Sequence, residues 1–139
     1  MKRKQLLLLA ILVAIVAGYF VYSNFLKTAP GVDSLKADYT LSAEQLYSAF
    51  EENETEANGL YLNKILEVSG EVESIEFPEE GSPSIALRTE GFGVIKCTFE
   101  AGTNAADLGG VQVNQSLTIK GECLGYLLDV QLIRSIIIQ

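Results

Sequence analysis

The stretch that decides the fold is ILEVSGEVESIEF, at residues 65–77. In its first half, Leu66, Val68 and Val72 alternate with polar residues at the period of two that is typical of a half-buried strand. The alternation then slips, because the next apolar residue, Ile75, lies three positions after Val72. One extra residue is what a β-bulge adds, and a bulge bends and twists its strand. We therefore predict a first strand that curves, as in a small barrel.

Four further segments repeat this alternation and are separated by turn residues. The turn PEEGSP follows the first strand at residues 78–83, and the triplet GFG at residues 91–93 ends the second. A small-residue segment, 104–108, separates the third strand from the fourth and has room for one helical turn. The predicted strands cover residues 85–90, 94–99, 117–123 and 130–138. Five such strands predict a mainly β fold, the five-stranded Greek-key barrel called the OB-fold.

A helical extension is predicted before the first strand, within residues 42–63. Ser42 and Gln45 have the spacing of a capping box, and apolar residues then recur at the helical period. Asn53 and Glu56 repeat the capping spacing. We therefore expect two short helices or one bent helix.

The N-terminus is typical of a membrane anchor. Residues 1–4 include three basic side chains, and no charge follows them until Lys27. The roughly 20 uncharged residues of segment 5–26 would form a helix about 30 Å long, close to the thickness of the hydrocarbon core of a bilayer. We predict one transmembrane helix over residues 5–26, with a cleaved signal peptide as the alternative. A lipoprotein anchor is excluded, because no cysteine precedes Cys97.

The orientation of this signal anchor follows from its flanking charges. The basic cluster at residues 1–4 favours a cytoplasmic N-terminus, which places the rest of the chain on the opposite face. Residues 27–38 include Pro30 and Gly31 but little apolar periodicity, so we predict a tether there and an OB-fold domain over residues 39–139. The predicted protein is a single-pass component of the cytoplasmic (inner) membrane with an extracytoplasmic or periplasmic domain.

The soluble part is strongly acidic. Residues 29–139 hold all eighteen acidic side chains and six basic ones, a net charge of −12. Such a charge repels phosphate backbones and disfavours nucleic acid as a partner. The chain has no histidine, which removes a common metal ligand and the usual general base of a nucleophilic triad. We therefore predict no catalysis, no metal and no cofactor.

Several runs of the sequence resemble a known family. They are DYTLSAEQLYSAFEENETEANGLYLNKILEVSGEVESI at residues 38–75, KCTFE at 96–100, LTIKGEC at 117–123 and DVQL at 129–132. Together they resemble the bacterial tRNA_anti-like proteins of the OB-fold class, over roughly residues 38–138. The resemblance implies kinship with the anticodon-binding OB-fold of tRNA-charging enzymes. It implies no established activity and no catalytic residue.

Cys97 and Cys123 form the first candidate site, because both lie at inward-facing positions of predicted strands. In an oxidising compartment such a pair can form a disulfide. The alternative is two buried thiols, because strand parity does not fix the Cα separation, which is about 4.4–6.8 Å in a bridge. Redox catalysis is disfavoured by the absence of a C-x-x-C motif.

The second candidate site is a ligand face made of Arg88, Phe92, Lys96 and Tyr126. Oligonucleotide-binding OB-folds combine a basic groove with aromatic platforms, and these four residues are a sparse version of that arrangement. The glutamates of segment 51–56 would diverge around a helix, so we interpret them as a solvated face and not as a cation site.

Together these features predict a membrane-anchored, noncatalytic binding module. We expect its ligand to be a protein, a peptide or a small molecule, in preference to nucleic acid. The membrane is a partner through the N-terminal helix. Two alternatives remain open: a structural subunit of an envelope protein assembly, and an oligonucleotide-binding OB-fold.

Overall fold

The computed structural model describes residues 2–25 and 31–138. The chain divides into two compact units, residues 1–30 and 31–139. In the first unit, helix α1 (Arg3–Phe25) is long and apolar enough to cross a membrane. Its 23 residues span about 34 Å at 1.5 Å per residue. The predicted N-terminal helix is therefore present, and its apolar side chains are exposed.

The second unit is a closed five-stranded barrel. Its strands are β2 (Ile65–Glu76), β3 (Ser84–Leu87), β4 (Ile95–Thr98), β5 (Ser116–Leu127) and β6 (Asp129–Ile137). They follow one another in the order β2-β3-β4-β6-β5, and a β2–β5 pairing closes the barrel. Only β4 and β6 pair in parallel; the other barrel pairs are antiparallel. The predicted OB-fold is confirmed.

Strand β2 bends where its alternation slips. Its pairing with β3 shifts register between Val72 and Ser74, which is the predicted bulge. Residues 65–71 pair with β5, and Val72 is the first to pair with β3. The bend therefore lets one strand close both sides of the barrel.

Strand β1 (Tyr39–Ser42), which the sequence analysis did not predict, lies at the edge of the sheet. It pairs in parallel with residues 66–69 of β2. Asp38 prepares this pairing, because its N–H donates to the carbonyl of Ile65 (2.7 Å) and its carboxylate accepts from the N–H of Ile65 (2.9 Å). Four residues are too few for an alternation to indicate a strand.

Two helices follow β1, as the repeated caps predicted. Helix α2 (Ala43–Glu52) begins with the Ser42–Gln45 capping box, in which both reciprocal hydrogen bonds form. Helix α3 (Glu54–Tyr61) begins at Asn53, whose side chain accepts from the N–H of Glu56. Helix α2 buries its apolar face in the barrel core; its buried residues are Ala43, Leu46, Tyr47 and Phe50.

The core is filled by the inward-facing residues of all five barrel strands. Every apolar residue predicted to face inward from the second, third and fourth strands is buried, as the alternation required. These residues are Ile85, Leu87, Ile95, Cys97, Phe99, Leu117, Ile119 and Cys123. The segment with room for one helical turn forms successive hydrogen-bonded turns that begin at Asn104, and it contributes Leu108 to the core.

Part of the predicted tether, residues 27–38, packs against the barrel. Val32–Ser34 form a 3₁₀ helix against β5 and β6, and Val32 is buried there. A single apolar residue has no periodicity, so the sequence pattern missed this contact. Residues 26–30 lie outside the described residues.

We predict that Gly93→Ala destabilises the barrel by about 1–3 kcal/mol, the usual range for overpacking. A Cβ at Gly93 would overlap the carbonyl oxygen of Leu128 and approach the ring of Tyr47 at 2.8 Å. Gly59→Ala in α3 is the control, because nothing lies within 4 Å of a Cβ there. Its higher helix propensity should leave stability unchanged or raise it by up to about 1 kcal/mol. Urea unfolding of the full chain in detergent measures both, and equal midpoints would contradict the prediction.

Candidate ligand-binding surfaces

Arg88 and Lys96 are the two predicted basic ligands; Arg88 directly follows β3, and Lys96 lies on the outer face of β4. Lys96 pairs in register with Ala86, two positions before Arg88. Arg88 makes an ion pair with Glu71, a hydrogen bond to Asn114 (3.0 Å) and a longer contact with Glu73. All of these side chains reach solvent.

Lys96 also forms an ion pair with an acidic neighbour. Its Nζ lies 3.6 Å from a carboxylate oxygen of Glu76 on β2. The glutamates of β2 therefore neutralise both cations on this face. Because exposed ion pairs are weak, their effect is on the local potential and not on stability. A phosphate would have to compete with carboxylates that already occupy the two basic groups.

Phe92, the predicted aromatic platform, stands at the tip of the β3–β4 loop and is fully exposed. Its neighbours hold the loop against α2: Gly91 and Gly93 both pack on the ring of Tyr47, and the N–H of Gly93 donates to the Tyr47 hydroxyl (3.0 Å). The loop is thus anchored at both sides of Phe92 while its ring contacts only solvent.

Tyr126 is partly buried and packs against two other aromatic rings. It stacks on Phe50 with centroids 6.0 Å apart and meets Tyr47 edge to face at 6.1 Å. Its hydrogen bond with Tyr47, together with burial, raises the pKa of the Tyr126 hydroxyl. The structure therefore divides the predicted face: Arg88 and Lys96 share a strand surface, whereas Phe92 and Tyr126 both lie near Tyr47.

Two exposed residues that the sequence analysis missed lie beside Phe92. Leu127 and Leu128 form the turn between β5 and β6, and both are largely exposed. The turn packs against the β3–β4 loop, since the N–H of Val94 donates to the Asp129 carboxylate (3.0 Å). Two adjacent leucines within a turn, without glycine or asparagine, are the signal that could have indicated them. We call Phe92, Leu127 and Leu128 the apolar tip.

In the structure Cys97 and Cys123 are not bridged, which corresponds to the second of the two alternatives for this pair. Cys97 and Cys123 are free, buried thiols. Each pairs in register with Leu132 of β6, Cys97 from β4 and Cys123 from β5. One strand therefore lies between them, and two strand spacings are about 9–10 Å, beyond the reach of a bridge. Across the described residues, no group of three acidic, histidine or cysteine side chains could hold a metal ion.

Comparison with known proteins gives the family. The profile of the tRNA_anti-like family matches residues 1–137. The chain belongs to the tRNA_anti-like family. The match extends over the N-terminal helix as well as the barrel. No curated protein matches the chain.

Among solved structures, this tRNA_anti-like chain is similar to a protein of Klebsiella pneumoniae described as a "putative nucleic acid-binding lipoprotein". The two share 22% identity with a TM-score of 0.60, over 80% of this chain and 100% of the other. This likeness supports the OB-fold. A chain of the Stn1-ten1 complex of S. pombe also matches, with 12% identity and a TM-score of 0.42 over 54% of this chain and 58% of the other.

We predict two free thiols per chain in protein that is denatured without reductant. In the native chain neither should react with a maleimide, even at about pH 9, because burial raises the pKa of both thiols above the ordinary value of about 8.5. Mass spectrometry after labelling counts the modified cysteines. A mass two hydrogens lower, with no label, would reveal a bridge and contradict the structure.

Proposed function

We propose that this tRNA_anti-like chain is a noncatalytic binding module, anchored in the cytoplasmic membrane by α1 with its barrel outside the cytoplasm. The observation that carries the proposal is that the chain contains both an unburied apolar helix, α1, and a small barrel. On the strand face of this barrel, Arg88 and Lys96 are already neutralised by glutamates. An OB-fold of this kind offers loops and strand surface for binding. Its ligand is a protein or a peptide.

The membrane part of the proposal is supported by the length and flanks of α1. The helix is uncharged from Gln5 to its end, and Lys2, Arg3 and Lys4 precede its apolar residues. If the strongly acidic barrel crosses the membrane, the basic residues before α1 remain in the cytoplasm. This is the orientation that the positive-inside tendency favours.

The choice of ligand rests on charge. Affinity for nucleic acid comes mainly from lysine and arginine side chains that neutralise phosphates. On the β3–β4 face, Arg88 and Lys96 already contact glutamates, and Arg134 on β6 is held by Glu122 (2.5 Å). With a net charge of −12 over residues 29–139, the barrel would repel an approaching polynucleotide.

The topology is tested with reporters fused after the C-terminus. We expect alkaline phosphatase to be active there and green fluorescent protein to be dark, because the barrel lies outside the cytoplasm. Replacing Lys2, Arg3 and Lys4 with glutamate should lower the phosphatase activity by weakening the orientation signal. A fluorescent fusion combined with inactive phosphatase in the unmodified chain would refute the proposal.

We further predict that the unmodified chain does not bind a fluorescein-labelled oligothymidylate of about 20 nucleotides at about 50 mM salt. The variant carrying Glu71→Gln, Glu73→Gln and Glu76→Gln should gain weak, salt-sensitive binding, because Arg88 and Lys96 lose their partners. A variant with glutamines at Glu44, Glu51 and Glu54 has the same net charge and should gain less. Fluorescence anisotropy measures all three, and tight binding by the unmodified chain would refute the ligand class.

A further inference from the structure

The apolar tip is formed by two loops that are locked together at one end of the barrel. The N–H of Val94, after the β3–β4 loop, donates to the side chain of Asp129, and the N–H of Val130 donates to the carbonyl of Val94 (3.1 Å). These bonds hold the Phe92 loop beside the Leu127–Leu128 turn. The three apolar side chains are thus presented by a hydrogen-bonded framework.

Their exposure is unusually complete. Phe92 is fully exposed, Leu127 is 80% exposed and Leu128 is 85% exposed. Clustered large apolar side chains on a surface mark binding sites more often than single ones do. Leu128 also adopts a positive φ of 64°, a conformation that glycine and asparagine adopt more readily than leucine. Nothing in the packing of the barrel requires leucine at this position.

The loop that carries Phe92 runs close to α2 and to the β5–β6 turn. A Cβ added at Gly91 or Gly93 would overlap the ring of Tyr47, and one at Gly93 would also overlap the carbonyl oxygen of Leu128. The barrel end beneath the loops is filled by Tyr47, Phe50 and Tyr126. The ring of Phe92 itself lies in solvent.

Several carboxylates lie near the tip or near Tyr126, the residue that precedes Leu127. Glu44 accepts from the N–H of Glu90 (2.6 Å) beside Phe92, and Asp129 follows Leu128 directly. The hydrogen bond with Tyr47 is the first cause that raises the pKa of Tyr126, followed by burial, the charge of Tyr47, and lastly the charges of Glu51 and Glu54. This acidic rim consists of Glu44, Glu51, Glu54, Glu90 and Asp129.

The acidic rim differs from the other acidic surface of the barrel. On the strand face, glutamates pair with Arg88 and Lys96, whereas no lysine or arginine among the described residues forms an ion pair with any carboxylate of the rim. The negative potential around the tip is therefore uncompensated. It attracts cations and repels anionic surfaces.

We propose that the apolar tip and its acidic rim dock a basic, amphipathic segment of a partner protein. Apolar side chains of the segment would cover Phe92, Leu127 and Leu128, and its lysines or arginines would face the rim. A bilayer surface is a poorer occupant, because anionic headgroups would meet uncompensated carboxylates. This inference rests on the proposed function and specifies its site and the chemistry of its partner.

The position of the tip within the domain agrees with such a partner. Gly31, the first described residue of the domain, lies beside Ser135 and Ile136, near the end of β6. The tip lies at the beginning of β6, about 20 Å away at 3.3 Å per residue. Within the barrel unit, Gly31 therefore lies near the end of β6 that is remote from the tip.

The test uses the absence of tryptophan from the chain. Phe92→Trp gives the full-length protein, in phosphatidylcholine liposomes, a single tryptophan at the tip. The probe is a leucine–lysine amphipathic peptide of about 14 residues, roughly four helical turns. We expect the tryptophan emission to shift to shorter wavelength and to saturate as the peptide is added. The same peptide with glutamate in place of lysine should cause no shift.

Matched variants separate a docking site from general adhesion. Adding Leu127→Ser and Leu128→Asn should weaken peptide binding about tenfold or more, because two apolar contacts are lost while asparagine tolerates the positive φ. Replacing Glu51, Glu54 and Glu90 with glutamine should weaken peptide binding and reduce the salt dependence of that binding. Phe77→Trp, in the β2–β3 connection away from the tip, is the control and should not respond.

Three outcomes would overturn the inference: no shift in the Phe92→Trp protein, equal shifts with the basic and the acidic peptide, or an unchanged affinity after the two leucines are replaced. Liposomes of brominated phosphatidylcholine test whether the tip contacts the bilayer, because bromine on the acyl chains quenches the fluorescence of a tryptophan that touches them. Quenching at position 92 without peptide would assign the tip to the membrane and also overturn it. The fusion reporters report on membrane topology alone, so loss of peptide binding with intact topology refutes only this inference.

Discussion

The bend in β2 is the constraint on which the barrel depends. A straight strand of twelve residues could pair with one neighbour along each edge, but it could not curl far enough to bring β5 and β3 into one closed sheet. The extra residue between Val72 and Ser74 supplies the curvature. Closure then removes free edges from the five strands and directs their alternate side chains into one core.

A closed sheet has two open barrel ends. Helices α2 and α3 pack at one of them. Helix α2 inserts Leu46 and Phe50 into the core, and Tyr47 forms the floor on which the glycines of the β3–β4 loop pack. Tyr47 therefore belongs to the core and also contacts the loop that carries Phe92.

Among the described residues, the carboxylates of the barrel fall into two groups, one paired with cations and one unpaired, and the two groups favour different ligands. On the β3–β4 face, acidic residues of β2 pair with Arg88 and Lys96, which removes the positive charge that a phosphate backbone would need. Around the tip, the carboxylates stay uncompensated beside exposed apolar side chains. Membership in the tRNA_anti-like family thus specifies the barrel, while the side chains on its surface decide what the barrel can bind.

The sequence by itself determined the apolar helix, the five strands, the bulge and both helix caps, because each depends on the period or spacing of neighbouring residues. Only the tertiary structure decided the contacts between distant segments. Leu132 separates Cys97 from Cys123, Val32 packs on the barrel, and β1 pairs in parallel with β2. Alternation records which face of a strand a residue occupies, but not which strands become neighbours when the sheet closes. For that reason the predicted ligand face was divided, and the tip was found only where two loops meet.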